Sequence, residues 1–281
     1  MKIKALLATL IGAVAINGAT AGEWCPPAPD KCPVECCPET AGSLSFGYDT
    51  DYIWKGVRFA RDFIWADVNY TFDIPCLPVS PTIGVWHGTD LSSTINYGDE
   101  TNLYAGVALP EVMGLEAELL YTMYLFPTTR QPSPGTVGDS FHSIGISASK
   151  ELFCGVSAEF GSEYYFGGDV AGAGDLSAWY HHAGLGYTMD VTDCIGVELS
   201  AGVAYSDGLW SGLGGGNVGS GWNHYYVKAG VPITIGCNAT LTPYVGYNGT
   251  PDGWKAGNVN AIQGANSQDA FHGGVSISVG F

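Results

Sequence analysis

Positive charge is scarce: Lys and Arg number 10 among 281 residues, against 27 Asp and Glu, for a net charge of −17. Phosphate backbones are bound by clustered Lys and Arg, so this balance argues against a nucleic-acid partner. Charge of either sign is scarce too, at 13%, where soluble domains usually carry about a quarter. Beyond residue 21 no apolar run approaches the ~20 residues that a membrane-crossing helix needs. Disorder is excluded, because 46% of the chain is hydrophobic, with 16 Tyr, 11 Phe and 8 Trp able to bury surface. With 41 Gly and few helix formers added, the composition points to β-structure.

The front of the chain reads as an export signal. Lys2 and Lys4 make a basic start, Ala5 to Ile16 is apolar throughout, and Ala19-Thr20-Ala21 is a small-residue cleavage site. Residues 1–21 are therefore expected to be a cleaved signal peptide. Residues 22–42, rich in Cys and Pro, are expected to form a periplasmic segment, and 43–281 the folded body.

From Ser43 onward large apolar residues alternate with small or polar ones. Ile195, Val197, Leu199, Ala201, Val203 and Tyr205 are interleaved with Gly196, Glu198, Ser200, Gly202, Ala204 and Ser206. Period two marks strands with one apolar and one polar face. Twelve such segments are expected near 43–56, 61–72, 81–90, 101–110, 115–126, 140–150, 154–167, 176–189, 194–206, 221–232, 238–248 and 269–281. Connections on one side are mostly short; on the other most are longer and rich in Gly, Asn, Ser and Asp. An even number of ~10-residue strands with this asymmetry predicts an all-β fold, a twelve-stranded antiparallel transmembrane barrel in an outer membrane, with both termini periplasmic. A secreted sandwich also alternates. Against it stand the small residues opposite the apolar ones, the aromatics at segment ends (Tyr52, Trp54, Tyr70, Phe72, Trp179, Tyr187, Tyr205, Tyr225, Tyr247), and a last apolar stripe ending in Phe281. Aromatic girdles belong at membrane interfaces, and Phe281 is expected to serve as the signal read by the barrel assembly machinery.

The eight cysteines form two groups. Cys25, Cys32, Cys36 and Cys37 precede the first strand, while Cys76, Cys154, Cys194 and Cys237 lie at the short turns, on the rim that also carries the N-terminal segment. An even count in an exported chain favours disulfides. Neighbouring hairpin turns lie roughly 10 Å apart at ~4.8 Å per strand, whereas a disulfide needs Cα atoms within ~7 Å. Stapling of the N-terminal segment to the turns meets that limit better than turn-to-turn bridges. Metal binding and free or intermolecular thiols remain the alternatives, although C-x6-C-x3-C-C without histidine matches no common zinc spacing.

Enzymatic signals are weak. His142 and Ser143, like His181 and His182, are sequence neighbours on expected strands and so face opposite sides, unable to act as a pair within one strand. His182, His224 and His272 share the inward phase on non-adjacent strands. The Gly212–Gly216 run lacks the strand–loop–helix setting of a phosphate cradle. No catalytic residue, metal or cofactor is expected.

Extending the polar phase inward places Asp49, Asp51, Asp67, Glu116, Glu118, Glu159, Glu163 and Glu198 on the lumen wall, opposed by Lys55 and Lys228, with Arg58 and Arg61 near the first loop-side turn. Acidic walls of low dielectric concentrate cations. The expectation is a porin-like channel for small hydrophilic solutes, preferring cations and narrower than the 16–18-stranded barrels that leave a wide pore. The alternative is a barrel plugged by side chains, serving as a structural or surface protein.

One stretch carries a family likeness. Gly47-Tyr48-Asp49-Thr50-Asp51-Tyr52-Ile53-Trp54-Lys55-Gly56, followed by Arg58 and then by Ala66-Asp67-Val68-Asn69-Tyr70, resembles the first hairpin of the TorF family of outer-membrane porins. That family opens with Ser/Thr-Asp-Tyr, a short gap and Arg/Lys-Gly, places taken here by Thr50-Asp51-Tyr52 and Lys55-Gly56. Beyond two strands the likeness is one of alternation and hairpin spacing, and the Cys25–Cys37 segment departs from the family pattern. The resemblance implies a pore and no particular substrate.

Overall fold

A computed structural model describes residues 41–74, 77–92, 99–128, 140–170, 174–209, 220–250 and 269–281. The expected signal peptide, the segment before Ala41, Cys25, Cys32, Cys36, Cys37, Cys76 and the Gly212–Gly216 run lie outside these residues.

The described chain is almost wholly strand: β1 (Gly42–Trp54), β2 (Val57–Thr71), β3 (Ser80–Asp90), β4 (Asp99–Ala108), β5 (Leu115–Thr128), β6 (Phe141–Phe153), β7 (Val156–Val170), β8 (Gly174–Thr192), β9 (Ile195–Asp207), β10 (Gly221–Gly230), β11 (Ile233–Ile235), β12 (Ala239–Gly249) and β13 (Asp269–Gly280). All strand pairings are antiparallel, and, apart from β10 and β11, each strand pairs with its sequence neighbours round the sheet. The expected strand at 221–232 is instead broken after Gly230, because Pro232 has no N–H to give the ladder. Its continuation β11 pairs with β9 and β12, as β10 does, so β10 and β11 form one stave and the barrel has twelve.

Closure is made by the last strand. β13 pairs with β12 over its whole length and with β1 from Ser43↔Gly280 to Asp49↔Gly274. At the seam the Phe281 carbonyl accepts hydrogen bonds from the amides of Ala41 (2.9 Å) and Gly42 (3.1 Å), and the Phe281 amide donates to Gly42 (3.0 Å). Over these rungs no sheet edge remains to leave backbone groups unpaired, the condition for spanning lipid with strands.

Exposure is inverted relative to a water-soluble fold. Phe46, Ile83, Ile144, Leu185, Val227 and Val245 are 49–56% exposed on the outer face, while Ser143, Ser206, Asn223 and His224 are buried. Apolar side chains outside and polar ones inside define a transmembrane barrel. A run of stacked or tilted rings crosses the outside from β5 to β10, through Tyr121, His142, Phe166, Tyr164, Trp179, His181, Tyr205 and Trp222. Of the expected girdle residues, Trp179 and Tyr205 belong to this run.

The first hairpin departs from expectation. β1 ends at Trp54 and β2 begins at Val57, so the connection foreseen at 57–60 shrinks to Lys55-Gly56. Their φ values of 50° and 84° suit the tight hairpin turn whose twist matches its strands. Arg58, foreseen in the connection, is thus a residue of β2, as is Arg61.

The seam yields a prediction. Unboiled protein in detergent is expected to migrate differently from boiled protein, and Phe281→Ala to reduce that heat-modifiable fraction several-fold by removing the ring packed against Gly42. Equal fractions for the two proteins, measured on membrane extracts, would remove the role given to Phe281.

Candidate functional site: the barrel lumen

Ordinary pairing carries the first hairpin only part of its length. On β1 the ladder to β13 stops at Asp49↔Gly274, and on β2 the ladder to β3 starts at Phe63↔Asp90. Between these rungs residues 50–62 leave the wall. Asp62, with φ of 52°, marks the bend on β2; a left-handed backbone is uncommon for a residue other than glycine. The partner strand is irregular between Tyr52 and Ile53.

The freed tip crosses the lumen to β7, half-way round a twelve-stave barrel. Lys55 forms an ion pair with Glu163, and its ammonium lies 4.3 Å from the centre of the Tyr180 ring. Glu163 also accepts a hydrogen bond from Tyr165 (2.9 Å). Asn223 donates to the Lys55 carbonyl at 2.9 Å, and Asn248 donates to that of Gly56 at 3.3 Å. Around this polar centre Val57 packs with Tyr124, Phe141, Tyr165, Leu176 and Tyr180 as a buried cluster, with Trp54 against it. Tyr52 stacks on Phe63 at 4.3 Å and donates to Glu100 at 3.0 Å.

Two sequence expectations change here. Tyr52 and Trp54 belong to the lumen, not to the outer girdle, because the hairpin bends before reaching that height. Lys55 is not a wall residue but the tip of the hairpin. Asp51, in the expected inward phase, is paired with both arginines of the hairpin: Arg58 approaches it to 3.5 Å and Arg61 to 3.7 Å.

The other predicted carboxylates divide into two sets. Asp49, Asp67 and Glu159 are each held by a tyrosine that reaches round the wall over glycine. Tyr244, Gly274 and Asp49 occupy one row of the sheet, and Tyr244 donates to Asp49 at 2.6 Å, with Trp65 adding a bond of 3.0 Å. Lys228 sits 4.1 Å from the Tyr244 ring centre. Tyr226, Gly202, Gly184 and Glu159 make a second row, with 2.6 Å from Tyr226 to Glu159. Tyr104 crosses Gly84 to reach Asp67 at 2.9 Å. A Cβ at Gly84 would lie 2.2 Å from the Tyr104 ring, and one at Gly202 2.6 Å from the Tyr226 hydroxyl. Only hydrogen fits beneath these side chains.

Glu116, Glu118 and Glu198 form the second set, on the short-turn side of the hairpin tip. Glu116 receives only a 3.5 Å contact from Ser149, and Glu198 is exposed on the inner wall. A cavity of about 590 Å³ lies in this half, lined by Glu111, Glu116, Glu118, Ser147, Glu159 and His182 among others. No group of three His, Cys, Asp or Glu with metal-holding geometry occurs among the described residues.

His142 and Ser143 do face opposite sides: His142 bonds Tyr121 outside at 2.8 Å, and Ser143 reaches Glu163 inside at 3.5 Å. Likewise His181 bonds Ser162 outside at 2.9 Å, while His182 lies inside over Gly161. Cys154, Cys194 and Cys237 lie at the β6–β7, β8–β9 and β11–β12 turns, all on the rim where β1 begins and β13 ends. Sequence reasoning missed Tyr104, Tyr226, Tyr244, Asn223 and Asn248. The signal available was a large aromatic residue standing in the phase otherwise filled by Gly, Ser and Thr.

Closed pairing, an apolar exterior and a polar interior define the class as an outer-membrane-type β-barrel of twelve staves. No family model matches the sequence, and no curated protein matches it. Among solved structures the chain is similar to the COG4313 outer membrane channel from Pseudomonas putida F1, at 8% identity and a TM-score of 0.53, over 90% of this chain and 99% of that one. It is also similar to the KdgM porin, at 8% identity and 0.49, over 85% and 99%, and to the NanC porin, at 9% identity and 0.46, over 86% and 99%. At these identities the likeness concerns the fold.

The glycine rows make a matched prediction. Gly84→Ala forces Tyr104 off Asp67 and is expected to cost about 2–4 kcal/mol, from overpacking and a lost charge-assisted bond. Gly230→Ala, where the nearest atom is 3.5 Å away, is expected to stay within about 1 kcal/mol of the parent. Urea unfolding of the two variants in lipid vesicles checks the difference.

Proposed function

We propose that this chain is a narrow porin-like channel of a Gram-negative-type outer membrane, passing small hydrophilic solutes with a preference for cations. The observation that carries this reading is the inner wall on the short-turn side. It is polar, it encloses the 590 Å³ cavity, and it presents Glu111, Glu116 and Glu118. The carboxylates tied to tyrosine hold less of their field free for a passing ion, so the preference rests on the short-turn set.

A second reading, a plugged structural barrel, is favoured by the aromatic packing round the hairpin tip. Planar-bilayer recording separates the two. A conducting pore is expected, with a reversal potential in a salt gradient that favours cations, and Glu116→Gln with Glu118→Gln should shift that potential toward zero. Silence throughout would favour the structural barrel, and anion selectivity would overturn the charge argument.

Further features support the setting. An orientation with both termini periplasmic puts the cysteine-bearing turns beside the exported N-terminal segment. The apolar stripe ending at Phe281 suits reading by the assembly machinery, and the exposed apolar band suits outer-membrane lipid. The residues that carry the likeness to TorF porins, Thr50, Asp51, Tyr52, Lys55, Gly56 and Arg58, all belong to the inturned hairpin. We read the cysteines as disulfides that staple residues 25–37 to the turns. Peptide mass spectrometry of unreduced, exported protein is expected to find at least one bridge between the Cys25–Cys37 group and Cys76, Cys154, Cys194 or Cys237. Bridges confined within 25–37, or thiols open to labelling at most positions, would contradict the stapling.

A further inference from the structure

The first hairpin has two places to sit, and we infer that it swings between them as the gate of the lumen, an inference that rests on the channel reading above. The inner seat is the one described, with Lys55 on Glu163 and Trp54 in the aromatic cluster. The second seat is a gap in the wall. Residues 269–273 of β13 are paired with β12 but have no β1 partner in the ladder. Running the β1–β13 register past Asp49↔Gly274 sets Thr50 opposite Gly273, Asp51 opposite His272, Tyr52 opposite Phe271, Ile53 opposite Ala270 and Trp54 opposite Asp269. Five vacant positions on β13 thus meet the five β1 residues that have left the wall. The two strands stay close at the start of that gap, where the Gly273 amide donates to the Thr50 side-chain hydroxyl at 3.0 Å.

The sequence is phased for the outer seat. Continuing the alternation of Leu44, Phe46 and Tyr48 turns Tyr52 and Trp54 to the outside, where the aromatic girdle lies. Tyr52 would then stand beside Phe271, which is 74% exposed. The hinge is present as well: the left-handed Asp62 on β2 and the irregularity at Tyr52/Ile53 on β1.

The environment makes such an exchange affordable in energy. In water, uncovering Trp54 and Tyr52 would forfeit their hydrophobic burial. Here the outer seat faces the membrane interface, where Trp and Tyr are favoured, and it adds ladder hydrogen bonds to β13. Asp51, Arg58 and Arg61 belong to the hairpin itself. Besides the aromatic packing, the inner seat supplies the ion pair of Lys55 with Glu163, the Lys55 contact with the Tyr180 ring, the two asparagine bonds and the Tyr52–Glu100 bond. The ion pair is therefore the latch, and in the outer seat Lys55 regains water beyond the rim.

Bilayer recordings of the full chain test this with Glu163→Gln, with the charge swap Lys55→Glu/Glu163→Lys, and with a trapping pair, Tyr52→Cys/Phe271→Cys, that keeps the latch. Glu163→Gln is expected to raise the open fraction about tenfold, the effect of a 1.4 kcal/mol shift, and the swap to restore the parental value. Oxidation of the trapping pair is expected to hold the channel open until reduced, with the 52–271 bridge found by peptide mass spectrometry. A heat-modifiable Glu163→Gln protein with the parental open fraction overturns the latch while leaving the channel reading intact. An oxidised 52–271 bridge that does not hold the channel open, or no bridge under any condition, overturns the outer seat. If parent, variants and trapped protein are all silent, the channel reading falls and the gate with it.

Discussion

Every backbone N–H and C=O of a strand in lipid must find its partner in another strand, and this constraint organises the whole molecule. Twelve staves satisfy it by closing β1 on β13, with the Phe281 backbone finishing the seam. Closure then fixes two faces of opposite character, because successive side chains point in opposite directions along every stave. The outer face carries Phe46, Ile83, Leu185 and their like. The inner face has to fit many side chains into the bore of a twelve-stave ring, and the small residues in that phase give the room.

Space, more than charge, orders the lumen wall. Three tyrosines lie flat against it because the strand they cross has glycine at the crossing point, and each ends on a carboxylate. Such rows join non-adjacent strands through side chains, adding stiffness to a wall that backbone bonds join only between neighbours. They also tie down Asp49, Asp67 and Glu159. Glu116 and Glu118 line the 590 Å³ cavity together with the tyrosine-bound Glu159.

The first hairpin escapes the closing rule only because its tip finds other partners. Its turn carbonyls are met by Asn223 and Asn248, its lysine by Glu163, and its apolar residues by the cluster around Tyr165. These groups come from β5 through β12, so the tip ties its own side of the barrel to the opposite one. A passage through this barrel must go past or displace that hairpin, which makes it the natural point of control.

The strand periods, the count of twelve staves and the division into two rims were legible in the sequence, since alternation is a local property written in every ten-residue window. The inward phase of Asp67, Glu116, Glu118, Glu159, Glu163 and Glu198 follows from the same period. What each carboxylate meets was not legible, because Tyr244 and Asp49, or Lys55 and Glu163, are neighbours only once the sheet has closed. Period two also says nothing about where a strand leaves its ladder, so Tyr52 and Trp54 read as girdle residues although the bend at Asp62 carries them inside. The sequence determined which residues share a face. The closed sheet alone decided which faces meet across the lumen, because that depends on curvature and stave number, which bring together residues more than a hundred positions apart.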